Sequence, residues 1–430
     1  MTDTTTTDLL EQAGDLFPGG VLGSFALPPE LAFVPVSGSG ARLQTADGRE
    51  LIDYVLGGGP MILGHRHPEV EAATVAQVRR GTQFYSYLNE PAIALAAALV
   101  DAVPCADRVR FCTSGSEATM YALRYARAAT GRPRVVKMEG AYHGNHDATM
   151  LSTWPKELGS ERGTFDSAGV LETFREQVSI AAFNDLASVE KVFVNHPDEV
   201  AAVIVEPYQR FLAPAPGFLE GLRTLCDRQG AILVFDEVVT GFRASYTGMQ
   251  GVSGVTPDLA TYGKIIGGGF PLAAVCGRAD ILDRSNPISK GGPEFVYQSG
   301  TLNGHPVACA AGLATLEVLR RPGTYEEVES IGDRLRRGLR SLLSEHGRPA
   351  VVVGDGAAVW NVLFGLTETP TTVAEASAAD LAMLKRFHLG LIERGAFVLP
   401  GLRSYVSPVH TERDIDQTLE MAADALAALD

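Results

Sequence analysis

Two unbroken apolar runs restrict this chain more than any other feature. Ala201-Ala202-Val203-Ile204-Val205 ends in Glu206-Pro207, and Ala231-Ile232-Leu233-Val234-Phe235 ends in Asp236-Glu237. A strand that is apolar at every position has both faces buried, as in a parallel sheet covered by helices on each side. A helical pattern over residues 218–228 lies between the runs, as a right-handed crossover requires. Residues 108–112 and 134–138 also have strand character, and between them a helix opens at the Ser114-Gly115-Ser116 turn and closes at Gly131. The expected fold class is α/β with a mostly parallel central sheet between about residues 70 and 320. Ligands of such sheets bind beyond the carboxyl ends of the strands. Asp236, Glu206 and the turn at Ser114 all fall at those ends.

A chain of 430 residues is too long for one hydrophobic core. Residues from about Pro28 to Tyr54 read as short strands with turns, and residues 1–69 are expected to join a small domain. Residues 70–322 form the expected large domain. Residues 323–430 form a smaller α+β unit, with strands near Val351 and Val359, a helix near Leu381, a strand at residues 396–398 and a last helix. Residues 153–176 are polar with little periodicity and are expected to be a mobile flap over a site. The start, Met1 to Asp8, is polar and acidic, unlike a secretory signal, and is expected to fray.

The net charge of −15 argues against nucleic acid and anionic membrane as partners. No apolar run is long enough to span a bilayer. The five cysteines are scattered and form no C-x-x-C pair, which points to a reducing cytoplasm and away from a disulfide framework or a zinc site. His65-x-His67 and His143-x-x-His146 lack thiolates or carboxylates at ligand spacing, so a structural role or cofactor contacts are expected and no metal.

The chemistry is expected at Pro257-Asp258-Leu259-Ala260-Thr261-Tyr262-Gly263-Lys264, where an apolar segment runs into one lysine before Gly267-Gly268-Gly269 and Pro271. In a dry pocket such an amine loses its proton and can attack an aldehyde. Taken alone, a lysine of this kind is usually a solvated loop residue, but three other features fit one cofactor. The helix start at Gly115 and Ser116 offers free N–H groups to a phosphate. Asp236, an acid ending a buried strand, needs a cation, and a protonated pyridine nitrogen is one. Tyr142 follows a strand and offers a flat ring. Each has an ordinary structural explanation by itself: an N-cap, a salt bridge, a core aromatic. Together and in this order they describe a pyridoxal phosphate pocket.

Ser114-Gly115-Ser116-Glu117-Ala118, Tyr142-His143-Gly144, Val205-Glu206-Pro207, the stretch from Asp236 to Arg243, Gly263-Lys264 to Gly269, and Gly300-Thr301-Leu302-Asn303-Gly304-His305-Pro306 together resemble the class III aminotransferases. The likeness runs from Pro18-Gly19-Gly20-Val21 onward and is strongest to the glutamate-1-semialdehyde aminomutase subgroup. It implies a fold-type I homodimer. Lys264 would form the Schiff base with the cofactor and shuttle the substrate proton. Asp236 would pair with the pyridine nitrogen, Tyr142 and Val238 would cover the two ring faces, and Gly115 and Ser116 would hold the phosphate. Thr301 would reach the phosphate of the neighbouring subunit.

Departures from the aminomutase pattern bear on the substrate. Its carboxylate-clamping arginine falls at Ala26, and its pocket tryptophan at Gly58, which would leave a void. The loop Tyr208-Gln209-Arg210-Phe211 also differs. A lost clamp, a wider pocket and an acidic protein suggest a cationic amino sugar as acceptor, as in the aminotransferases of aminoglycoside biosynthesis. An amino acid would then be the donor, with Arg403 or Arg243 receiving its carboxylate. The alternatives are the aminomutase (an isomerase), an epimerase, and a non-catalytic binding module on the same fold.

Overall fold

The structure, a computed structural model, describes residues 6–85 and 87–429. Its centre is a seven-stranded sheet. The strands are β1 (Arg108–Cys112), β2 (Arg134–Met138), β3 (Val178–Ala181), β4 (Val200–Val205), β5 (Ile232–Asp236), β6 (Leu259–Tyr262) and β7 (Ala273–Gly277), in the order β1-β7-β6-β5-β4-β2-β3. β2 to β6 pair parallel, while β7 runs antiparallel to both β6 and β1. The mostly parallel α/β sheet is the one the apolar runs imply: every residue of β4 and β5 is buried. Helices α1 (Gly115–Thr130), α2 (Leu186–Asn195), α3 (Phe218–Gln229) and α4 (Pro306–Leu319) connect or cover its strands. Separate apolar clusters lie on the two faces, one around Leu222, Leu233 and Leu316, the other around Tyr125, Val234 and Val275.

Strands β3 and β7 went unread in the sequence. Val178-Ser-Ile-Ala and Ala273-Ala-Val-Cys-Gly are short, and β7 is built mostly of small residues of weak strand propensity. β7 is nonetheless buried at all five positions between β1 and β6.

The strands Pro35–Ser39, Arg42–Thr45 and Glu50–Asp53 form a second sheet, completed by Ala396–Phe397 pairing parallel with the third of them. A third sheet joins Ala350–Val353, Val359–Phe364 and Ser404–Tyr405. Ile52 and Tyr54 share one core with Leu335, Trp360, Phe387 and Ile415, so both ends of the chain pack as one body.

The segment expected to be a mobile flap, residues 153–176, is tied to the sheet at Thr153 and Glu161, while most of its other residues are exposed or half-buried. The Lys137 amine, fully buried on β2, donates to the carbonyls of Thr149 and Leu151 and to Thr153 Oγ1. Asp166 accepts from the N–H groups of Thr153 and Trp154, at 2.8 and 3.1 Å. Ile180 on β3 donates to the Glu161 carbonyl at 2.8 Å. Of the polar start, residues 1–5 lie outside the described residues, and Thr6 opens a helix to Leu16 that buries none of its residues. Among the described residues no helix is long and apolar enough to cross a membrane.

Candidate active site

The carboxyl ends of β1, β2, β4, β5 and β6 converge on a cavity of about 310 Å³. Gly115, Ser116, Tyr142, Asp236, Val238 and Lys264 all line it, joined by His143, Glu206, Arg210, Arg403 and Tyr405. Six of the seven candidate residues thus share one site. Thr301, the seventh, is exposed and lies outside it, its carbonyl accepting from Gln83 Nε2 at 2.9 Å. Ala26 is also exposed and outside the cavity.

Asp236 is held from three sides. Its Oδ2 lies 2.7 Å from His143 Nδ1, and its Oδ1 accepts from Thr261 Oγ1 at 3.0 Å and from the Val238 N–H at 3.1 Å. His143 is 1% exposed, and its Nε2 has no partner among the described residues. The sequence showed this histidine only as part of a motif; its contact with Asp236 spans 93 positions and left no local signal.

At the opposite end, Ser114 caps α1 in a reciprocal box with Glu117. The N–H groups of Gly115 and Ser116 fall in the first turn, where no helix carbonyl can reach them. Ser116 Oγ accepts from the Asn145 N–H at 3.1 Å. Gly144 makes this approach possible: it sits at φ +92°, and a Cβ there would lie 2.6 Å from Ser116 Cα. Tyr142 is anchored by its N–H to Glu206 Oε1 at 2.8 Å and by its hydroxyl to Asn145 Oδ1 at 2.5 Å.

Lys264 opens a short 3-10 turn after β6, at φ +49°. That turn is pressed against α4 backbone to backbone. A Cβ on Gly312 would fall 1.9 Å from the Ile266 carbonyl, so only glycine fits there. Burial lowers the Lys264 amine from its ordinary value, the direction a nucleophilic lysine needs; Tyr405 opposes that shift.

The remaining wall is cationic. Arg403 donates to the Arg210 carbonyl at 2.6 Å and lies 3.9 Å from Glu206, and its Nε is 3.4 Å from the Tyr405 hydroxyl. Arg210 places its guanidinium 5.4 Å from the centre of the Tyr142 ring. Of the two arginines considered for a carboxylate, Arg403 lines the cavity; Arg243 is buried behind Tyr405 and donates to the Gly59 carbonyl. Gly58 also lines the cavity, and a Cβ there would meet nothing within 4 Å, the space expected where a tryptophan is absent. Its φ of +83° also disfavours any larger residue on this backbone.

This donor set fits pyridoxal phosphate: helix N–H groups for the phosphate, an acid for the ring nitrogen, a lowered amine for the aldehyde. A Cβ on Gly115 would come within 3.0 Å of Val238, so the glycine keeps the space between them open. The chain is 40% identical to a glutamate-1-semialdehyde 2,1-aminomutase of Desulfitobacterium hafniense (strain Y51) over 439 residues, covering 99% of both. It superposes on an omega-transaminase from Sphaerobacter thermophilus with a TM-score of 0.92 at 34% identity, covering 99% of this chain and 98% of that one. A transaminase solved with PLP bound matches at 0.87 and 29% identity, covering 100% and 98%. The family described as aminotransferase class-III matches residues 28–396. The chain belongs to the class III aminotransferases, enzymes that depend on pyridoxal phosphate.

Proposed function

We propose that this enzyme moves an amino group between an amino acid and an aldehyde or ketone, and that Arg403 receives the amino acid's carboxylate. The observation that carries this reading is the Arg403 side chain itself. It lines the cavity, is 11% exposed, and is met by the Arg210 carbonyl, by the Tyr405 hydroxyl at 3.4 Å and by a carboxylate only at 3.9 Å. A buried guanidinium left so thinly paired favours an incoming carboxylate. Pyridoxal phosphate supplies the electrophilic aldehyde and the electron-withdrawing ring. Lys264 would hold that aldehyde and would carry the proton to and from the substrate α-carbon. Asp236, fixed by His143, keeps the ring nitrogen protonated. Tyr142 and Val238 cover the two ring faces, and Gly115 and Ser116 hold the phosphate. Thr301 serves the site of a second subunit in a homodimer. A cytoplasmic location is in keeping with five free, buried cysteines.

The acceptor is open to two further readings. The space at Gly58 favours a bulky acceptor such as an amino sugar of the aminoglycoside kind. Arg210 and Arg403 oppose a polycation at the inner end, so such a substrate would reach in with its carbonyl alone. The aminomutase reaction is favoured by overall likeness to a protein of that name.

One experiment separates the three. Purified enzyme is offered an amino acid, an amino sugar, or glutamate 1-semialdehyde alone, and the cofactor's absorbance is followed. Amino acids convert it, and Arg403→Ala weakens them about ten- to a hundredfold while sparing an amine without a carboxylate. Turnover of the semialdehyde alone, with no response to other amino acids, overturns the proposal.

A further inference from the structure

Tyr405 has no part in the roles assigned above, yet it stands at the centre of the site's charge. It lines the cavity with Lys264 and is otherwise buried. The Arg243 guanidinium lies 4.7 Å from its ring centre, and the Arg403 guanidinium 5.9 Å. Arg243 is fully enclosed, and its Nε and Nη1 have no acceptor among the described residues. A buried cation of that kind needs a counter-charge.

The candidates for that counter-charge are few. The loop after β5 brings Arg243, the turn after β6 brings Lys264, and the loop after β4 brings Glu206, Tyr208 and Arg210. From the other side Tyr54 faces away, its hydroxyl 2.8 Å from Thr418 Oγ1. Glu206 is already engaged by the Tyr142 N–H and lies nearest Arg210 and Arg403. Tyr405 is therefore the acid-bearing side chain set between the two cations: its ring faces Arg243, and its hydroxyl lies 3.4 Å from Arg403 Nε. Burial alone would push that phenol up, but Arg403, Lys264 and Arg243 outweigh it and hold it at about 8. Burial raises the phenols of Tyr208 and Tyr325, where Arg403 and Arg243 respectively oppose the shift without outweighing it.

We propose that Tyr405, whose hydroxyl lies beside the Arg403 guanidinium in the cavity, is the base that takes the proton an incoming amino acid must lose from its ammonium group. The step balances: the ammonium N–H bond breaks, its electron pair stays on nitrogen as the nucleophilic amine, and the proton forms the O–H bond of Tyr405. The inference rests on the reading of Arg403 as the carboxylate site. A carboxylate arriving there neutralises the cation that stabilises the phenolate, so the phenolate becomes more basic as the ammonium group comes within reach.

The test uses the holoenzyme, Tyr405→Phe and Arg403→Ala. Ultraviolet difference titration at the phenolate band is expected to show one phenol ionising below the ordinary tyrosine range in the parent and absent from Tyr405→Phe. Propionate, a carboxylate without an amine, shifts that step upward in the parent and not in Arg403→Ala. In steady state, Tyr405→Phe lowers kcat/KM for amino acids about a hundredfold near neutral pH. The deficit closes as pH rises toward the substrate amine's own value, because the amine then arrives neutral. Absence of the phenol step, or a deficit that does not change with pH, overturns the proposal. A phenol step that propionate leaves in place, together with a deficit that closes, upholds Tyr405 as the base and removes Arg403 as the carboxylate site.

Discussion

At Gly312 a single hydrogen atom decides where Lys264 stands. The Ile266 carbonyl occupies the place a Cβ would take, at 1.9 Å, so the lysine's turn and α4 meet without side chains between them. Gly312→Ala must push the turn outward and carry the amine with it. Overpacking of this kind costs about 1–3 kcal/mol. The expected result is a lower melting temperature together with an altered visible absorbance of the bound cofactor. An unchanged spectrum would show that the lysine does not depend on this contact. Residues of this sort differ in how far they could be read from sequence. Asp236 stood out because an acid ends a run of buried apolar residues, and Lys264 because an apolar segment runs into it shortly before Gly267-Gly268-Gly269. Tyr405 gave no such signal: it sits in a two-residue strand, and what makes it unusual comes from Arg243 and Lys264, more than a hundred positions away. Choosing between Arg403 and Arg243 likewise required knowing which of them faces the cavity.

At the scale of elements, strands apolar on both faces were legible because burial in a parallel sheet leaves little choice of residue. The antiparallel β7 was not, since its position between β1 and β6 is dictated by pairing rather than by its own composition. The segment after β2 was misread for a related reason. Its polar residues suggested mobility, but several of them satisfy groups on the sheet, and Lys137 is their anchor. Lys137→Met would leave two buried carbonyls without donors, a loss of about 1–3 kcal/mol at about pH 8. Burial lowers the Lys137 amine to about 7. Above that pH, and up to the ordinary lysine range, the unfolded chain holds more protons at this position than the folded one, so stability rises with pH. The stability advantage of the parent over Lys137→Met should therefore widen between about pH 6 and 9 in urea melts. An advantage that narrows over that range would mean that the folded state favours the charged amine.

At the scale of the whole molecule, the cavity is built from distant parts of the chain. The central sheet supplies Lys264, Asp236 and the helix start, while Leu399, Arg403 and Tyr405 come from the body in which the two chain ends pack together. One candidate, Thr301, remains outside. It sits beside Gln83 and among exposed apolar side chains: Phe84, Tyr85, Tyr87, Leu88, Tyr297 and Leu302. Asn89 ties the two stretches together through the Gly304 carbonyl at 3.1 Å. We propose that this exposed apolar surface is the interface of a homodimer, through which Thr301 would reach the other subunit's cavity. Leu88, 87% exposed, is the most open of these residues. Leu88→Asp should raise the dimer dissociation constant about thirtyfold or more, the effect of losing roughly 2 kcal/mol at a central contact. Light scattering over a dilution series would show monomers at concentrations where the parent is dimeric. If Thr301 also serves the partner's phosphate, dilution of Leu88→Asp should release pyridoxal phosphate in step with dissociation, and added cofactor should restore the dimer by mass action. A dimer that separates without losing cofactor would leave Thr301 with no function at the site.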